Sequence, residues 1–139
     1  MSYKIISKFI KDISFEIPST QTYYMLEKEI TKYNLNFDIK SKKFKENIIE
    51  INTILSLVPN QEVKHKILTE INLTTLIAIE KNFKENKELE KIILIKLPTE
   101  VYPYLYETFV YLFERSGVKN INIKKEIDFE KLYNERSKS

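Results

Sequence analysis

KDISFEIPST, residues 11–20, sets apolar Ile13, Phe15 and Ile17 against polar Asp12, Ser14 and Glu16, and Pro18 ends the run. Side chains of an extended chain alternate between two faces. The stretch therefore predicts a strand with one apolar face and one face that carries acids. Proline donates no hydrogen bond to a ladder, so the strand stops there. Two carboxylates on the wet face either keep that face solvated or meet a partner.

Working outward, STQTYYMLEKEITKYN (19–34) carries Tyr23, Tyr24, Met25 and Leu26 in a row and reads either as a short helix or, preferred here, as a long connection with an apolar knot in it. LNFDIKSKKF alternates Leu35, Phe37 and Ile39 with Asn36, Asp38 and Lys40, a half-buried strand, and the basic SKKFK reads as its turn. IIEINTILSLV (48–58) puts Ile49, Ile51, Thr53, Leu55 and Leu57 on one face and Glu50, Asn52 and Ser56 on the other. Pro59-Asn60 signals a turn. KHKILTEINLTTLIAIE (64–80) alternates again, with Ile67, Ile71, Leu73, Ile77 and Ile79 opposite Lys66, Leu68, Glu70 and Asn72. Its threonines and isoleucines favour strand. Short turns with one long connection predict an antiparallel sheet of four strands.

The pattern changes near residue 81. KNFKENKELEK reads as a polar loop leading into a short helix that ends near Leu97-Pro98. TEVYPYLYETFVYLFERSG reads as a second helix. Thr99 is its candidate cap, Pro103 falls in its first turns, and Leu105, Phe109, Leu112 and Phe113 lie at helical spacing before the stop at Gly117. Asp128 caps a final amphipathic helix, FEKLYNERSK. Strands first and helices after predict an α+β fold, a four-stranded antiparallel sheet with helices packed on one face. With 139 residues, no repeat and no linker, the expectation is a single domain, 1–139.

Composition narrows the function. The chain has no cysteine, one histidine (His65, in the last predicted strand) and one glycine (Gly117). Thiolate chemistry, a metal site, a Ser-His-Asp arrangement and a Gly-rich phosphate loop all lack their residues. The expectation is a protein that is not an enzyme and needs no metal or cofactor. A net charge of +3 is no signature of nucleic-acid binding, and Lys40, Lys42, Lys43 and Lys45 read as a solvated hairpin end. Apolar runs such as Ile92–Ile95 are too short to span a bilayer, and the N-terminus lacks a signal-peptide core, so a cytoplasmic protein is expected.

Phe9-Ile10 before KDISFEIP, KILTEIN before IAIE, LPTEVYPYLYETFVYLFERSG, and the tail INIKKEIDFEKLY together resemble the SecB family of protein-export chaperones, in order and spacing over nearly the whole chain. The resemblance implies a crossover loop after the first strand, two helices, and a homotetramer, a dimer of dimers, that holds unfolded preproteins. It also implies docking to the SecA translocation ATPase through an outward sheet face, at positions matched here by Asp12, Glu16, Leu68 and Glu70. The pattern reading puts those four residues on the polar sides of their strands by itself. Exposed aromatics with methionine suit an adaptable apolar groove, for which Tyr23, Tyr24, Met25 and Leu26, with Phe44 and Tyr102, are the client-binding candidates.

The chain also departs from the family. Members are usually strongly acidic, whereas this chain is net +3 and ends in ERSKS. The family's crossover tryptophan is absent, and Leu73, Thr74 and Thr75 stand where paired glycines precede IAIE. Diverged relatives serve toxin–antitoxin pairs, which is the alternative role.

Overall fold

Alternation in the N-terminal segment is interrupted twice, and that decides which side chains the first strand buries. In the computed structural model, which describes residues 3–80, 87–119 and 121–137, strand β1 spans Lys4–Glu16. It carries extra residues between Ile5 and Ser7 and between Ile10 and Asp12 relative to its partner strand. Each bulge reverses the facing of the residues beyond it. Only past the second does the Ile13/Phe15 alternation run undisturbed; there Phe15 meets Phe113 edge-on, ring centroids 5.0 Å apart.

After Pro18 the chain forms helix α1 (Thr20–Glu29), then β2 (Tyr33–Lys45), β3 (Ile48–Pro59) and β4 (Leu68–Ala78). The sheet order is β1-β4-β3-β2 with every pairing antiparallel. The crossover through α1 therefore carries the chain from one edge of the sheet to the other. Helix α2 (Lys87–Lys91) runs through a wide π-type turn (Ile92–Lys96) into α3 (Leu97–Arg115), and α4 (Phe129–Ser137) closes the chain. The expected α+β architecture is present.

The core lies between the sheet and α3. Leu97, Val101, Leu105, Phe109 and Phe113 recur every fourth residue, make one stripe, and are fully buried. They rest on Ile51 and Leu55 of β3 and Ile71, Leu73 and Ile77 of β4, also fully buried. Phe37, Tyr102 and Phe129, with centroids 4.9–6.0 Å apart, tie β2, α3 and α4 together.

Several local expectations are corrected. Residues 20–29 take the helical alternative rather than the preferred connection: the Ser19 Oγ accepts the Thr22 N–H at 3.1 Å, and Thr22, Leu26 and Ile30 form an inward stripe spaced by four. SKKFK is strand, and the turn comes later, at Asn47, whose φ of 64° asparagine tolerates well. β4 begins at Leu68, so His65 sits exposed in a loop rather than in a strand. That loop is held by the Ile67 N–H on the Tyr33 hydroxyl (3.0 Å) and the Asn60 N–H on the Lys32 carbonyl (2.9 Å). The helix does not end at Pro98 and Thr99 does not cap a new one. The π-type turn falls just before Pro98, where a proline ring and its missing N–H disturb the preceding turn. Thr99 instead donates its hydroxyl to the Ile95 carbonyl at 2.6 Å. Pro103 is the seventh residue of α3, on its exposed side, where water reaches the carbonyl it leaves unpaired. The loop predicted at 81–86 lies outside the described residues. Among the described residues, no helix is long and apolar enough to cross a membrane.

Two outcomes are expected of this core. Phe113→Ala removes a fully buried ring packed on Phe15 and Phe109 and should cost about 3–5 kcal/mol of unfolding free energy in urea titration. Burial pushes the Tyr102 hydroxyl up to about 12, with Tyr106 adding to the shift. The hydroxyl of Tyr3, half-buried and bonded to Glu100, is also raised to about 12. Unfolded tyrosine ionises near 10, so both residues stabilise the fold below about 10 and lose that contribution as pH climbs towards 12. Urea midpoints across that window should fall, and less steeply in Tyr102→Phe.

Candidate functional site

Helix α3 stops at Gly117, whose φ of 89° is open to glycine and strained for other residues. The Val118 N–H turns back to the Phe113 carbonyl at 2.9 Å. The Tyr23 hydroxyl of α1 donates to the Gly117 carbonyl at 2.7 Å, and a Cβ on Gly117 would lie 3.4 Å from that hydroxyl. Glycine is thus favoured here by the backbone, while a Cβ would meet the Tyr23 ring only at ordinary contact distance.

Between α1 and residues 117–121 this contact leaves a cavity of about 620 Å³. Tyr23, Tyr24, Leu26 and Ile30 form one wall and Val118 and Ile121 the other, with Glu27, Lys28 and Lys119 at the mouth. Ile30 and Ile121 also border a second recess of about 700 Å³, walled by Tyr33, Leu35, Leu57, Ile123, Ile127 and Leu132. Lys124, Glu126, Asp128, Lys131 and Glu135 also line the second recess, so together the two make a groove of mixed apolar and charged lining along one end of the helical layer, each half in the size range of ligand sites.

The candidates distribute unevenly over this groove. Tyr24 is 72% exposed, Tyr23 presents its ring with its hydroxyl tied down, and Leu26 is a buried wall residue. Met25 is half-buried and off the wall. Phe44 is exposed near the β2–β3 turn with the Lys45 ammonium 5.5 Å from its ring centre, apart from the groove. Tyr102 is a core residue, 2% exposed, not a lining one. Its hydroxyl donates to the Lys124 carbonyl and so holds a segment that borders the second recess. Sequence reading misses the second wall, although Val118, Ile121, Ile123 and Ile127 are spaced as apolar punctuation in a polar stretch.

The other sheet face collects the four docking candidates. Glu16 is directly opposite Leu68, Ser14 opposite Glu70, and Asp12 opposite Asn72. Asp12, Glu16, Leu68 and Glu70 are all exposed, on the side away from the helices. Further along this face Asn52 donates to Glu50 at 2.8 Å and accepts from Thr74 at 2.7 Å. That hydrogen bond, with Lys42 and Lys11 nearby, holds the Glu50 carboxyl below the usual range. Among the described residues, no group of three or more His, Cys, Asp or Glu is placed to hold a metal ion.

Comparison with known proteins is consistent across sequence and structure. The chain matches the family described as preprotein translocase subunit SecB over residues 1–139. A Pelagibacter ubique protein assigned to the protein-export protein SecB group is 43% identical over 136 residues, covering 98% of this chain and 97% of that one. Protein-export protein SecB of Nitrosospira multiformis is 26% identical over 134 residues, covering 96% and 82%. Among solved structures, the Mycobacterium tuberculosis Rv1957 SecB-like chaperone, in complex with a ChAD peptide from the Rv1956 HigA1 antitoxin, shares the fold. Its TM-score is 0.66 at 14% identity, covering 90% of this chain and 88% of that one. The match along all 139 residues, with a 43% identical relative covered almost end to end, makes the chain a member of the SecB family.

Proposed function

We propose that this protein is an ATP-independent holding chaperone that keeps unfolded precursor proteins in the cytoplasm export-competent and delivers them to SecA. The observation that carries the reading is the pair of recesses beside α1 that share Ile30 and Ile121, in which apolar side chains from α1 and from the segment after Gly117 stand among charged ones. A folded client has buried its apolar segments; an unfolded one displays them. Removing apolar surface from water yields about 25 cal/mol per Å² whatever the client's sequence, so no nucleotide site is needed for capture. Tyr24 is the principal open contact, with Tyr23, Leu26, Ile30, Val118 and Ile121 shaping the wall.

SecA docks, in this reading, on the outward face at Asp12, Glu16, Leu68 and Glu70, which lie side by side on β1 and β4. An exposed apolar residue with carboxylates opposite it and two residues along the strand suits a basic partner surface with an apolar anchor. The protein works as a homotetramer, a dimer of dimers. Support comes from β1, an edge strand with Ile6, Phe9 and Ile13 between 44% and 50% exposed, and from Tyr104 and Tyr111 on the outside of α3. A second reading, a chaperone dedicated to one antitoxin, is favoured by the fold shared with a SecB-like chaperone solved with an antitoxin peptide.

The test is titration of the purified protein with an unfolded secretory precursor and with the same precursor folded. Binding to the unfolded form alone is expected; no preference, or binding confined to a single antitoxin peptide, selects the second reading. Tyr24→Ser leaves the fold intact because the ring is largely exposed, and should weaken unfolded-client binding about tenfold, roughly 1.4 kcal/mol. Glu16→Lys with Glu70→Lys should leave client binding unchanged while lowering affinity for SecA at least about tenfold at low salt, measured by calorimetry.

A further inference from the structure

The groove accounts for one end of the helical layer; the opposite end carries a second, differently charged cleft. It lies between the end of the β2–β3 hairpin and the helix that starts at Lys87. Two recesses of about 310 and 480 Å³ share Ser41, Leu89 and Ile93 as a common wall. The floor is aliphatic: Ile39, Ile49, Ile79, Leu89, Ile93 and Leu94, of which only Leu89 is fully buried. The border is cationic, with Lys42, Lys43, Lys45, Lys87 and Arg136 against the carboxylates of Glu46 and Glu90.

Most of these cations are committed elsewhere in part. Lys42 pairs with Glu50 at 3.6 Å across the sheet edge, and the Lys45 ammonium rests over Phe44. Lys43 and Lys87 are exposed and, among the described residues, have no ion pair. A solvated charge run needs no apolar floor beneath it. Here Lys43 and Lys87 stand on opposite sides of a row of half-buried isoleucines, one from the hairpin and one from the helix.

We propose that this cleft binds an acidic polypeptide segment carrying apolar side chains. Carboxylates pair with Lys43, Lys45 and Lys87, and Leu- or Phe-type side chains settle on Ile49, Leu89 and Ile93. The charge complementarity selects the occupant: an uncharged apolar segment gains as much in the groove, and a basic one is repelled here. The site lies apart from the groove and the outward acidic face and does not depend on either being functional.

The test uses a fluorescein-labelled Glu-Leu-Glu-Phe-Glu-Leu peptide, its counterpart with lysine in place of glutamate, and dodecanoate, each titrated into the full chain. The acidic peptide should bind at least about tenfold more tightly than the basic one and weaken as salt is raised. Lys43→Glu/Lys45→Glu/Lys87→Glu should lower its affinity about tenfold or more while leaving circular dichroism and unfolded-precursor binding unchanged. Tyr24→Ser should leave it intact, which separates this site from the groove. If the triple reversal does not fold, Lys43→Gln/Lys45→Gln gives the same readout at smaller amplitude. Equal binding of both peptides, binding that survives the reversals, loss in Tyr24→Ser, or a preference for dodecanoate over the peptide would each overturn the proposal.

Discussion

Everything in this fold is hung on the stripe of α3 that packs against β3 and β4. Five side chains spaced by four, from Leu97 to Phe113, leave water entirely and meet sheet residues that do the same. A fully buried aromatic or leucine contributes on the order of 2–3 kcal/mol relative to exposure, so this seam supplies much of the driving force that a chain of 139 residues has available. One helical layer over one sheet face is enough to close the core. The opposite sheet face is then free of packing duty and carries Asp12, Glu16, Leu68 and Glu70 in the open.

The same seam sets the ends of the helical layer, where the concave surfaces lie. At its C-terminal end α3 is stopped by Gly117, and the carbonyl there receives the Tyr23 hydroxyl, so the crossover helix is positioned by the end of the core helix. At the N-terminal end the π-type turn before Pro98 joins the α3 axis to the segment beginning at Lys87, which faces the β2–β3 hairpin. One element thereby produces two concavities of different character: one of mixed apolar and charged lining, and an aliphatic one bordered mainly by lysine.

Much of this is legible from residues, and the failures have physical reasons. β2 and β3 alternate in step from Tyr33/Pro59 to Lys43/Ile49, with one irregularity only at Phe44, so strand period gives their faces correctly; for β1 it does so only after Lys11, because two bulges reverse the alternation before it. The crossover helix is the less favoured of two pattern readings because its segment is polar overall and its stripe of Thr22, Leu26 and Ile30 is thin. The break expected at Pro98 is too strong a reading: proline argues for an interruption, and a widened turn satisfies that demand without ending the helix. The exposure of the four docking candidates is a matter of strand period alone once register is known. The groove is harder to foresee, because one wall comes from residues 117–132, whose proximity to α1 depends on tertiary contact with Gly117. Tyr102 is misplaced for the same reason, since an aromatic in a helix looks alike whether it faces a core or a groove.

Charge distribution, more than net charge, decides how such a surface chooses partners. A total of +3 suggests a weak attractor for basic ligands. Fields at a docking surface, however, fall off over a Debye length of about 8–10 Å in physiological salt, so a partner at Glu16 and Glu70 senses mainly its own neighbourhood. There Glu16 stands opposite Leu68 with Glu70 two residues further on, and Lys42 and Lys11 lie near Glu50 in a different part of the face. Loss of the overall acidity usual in the family is therefore compatible with keeping an acidic contact where β1 meets β4.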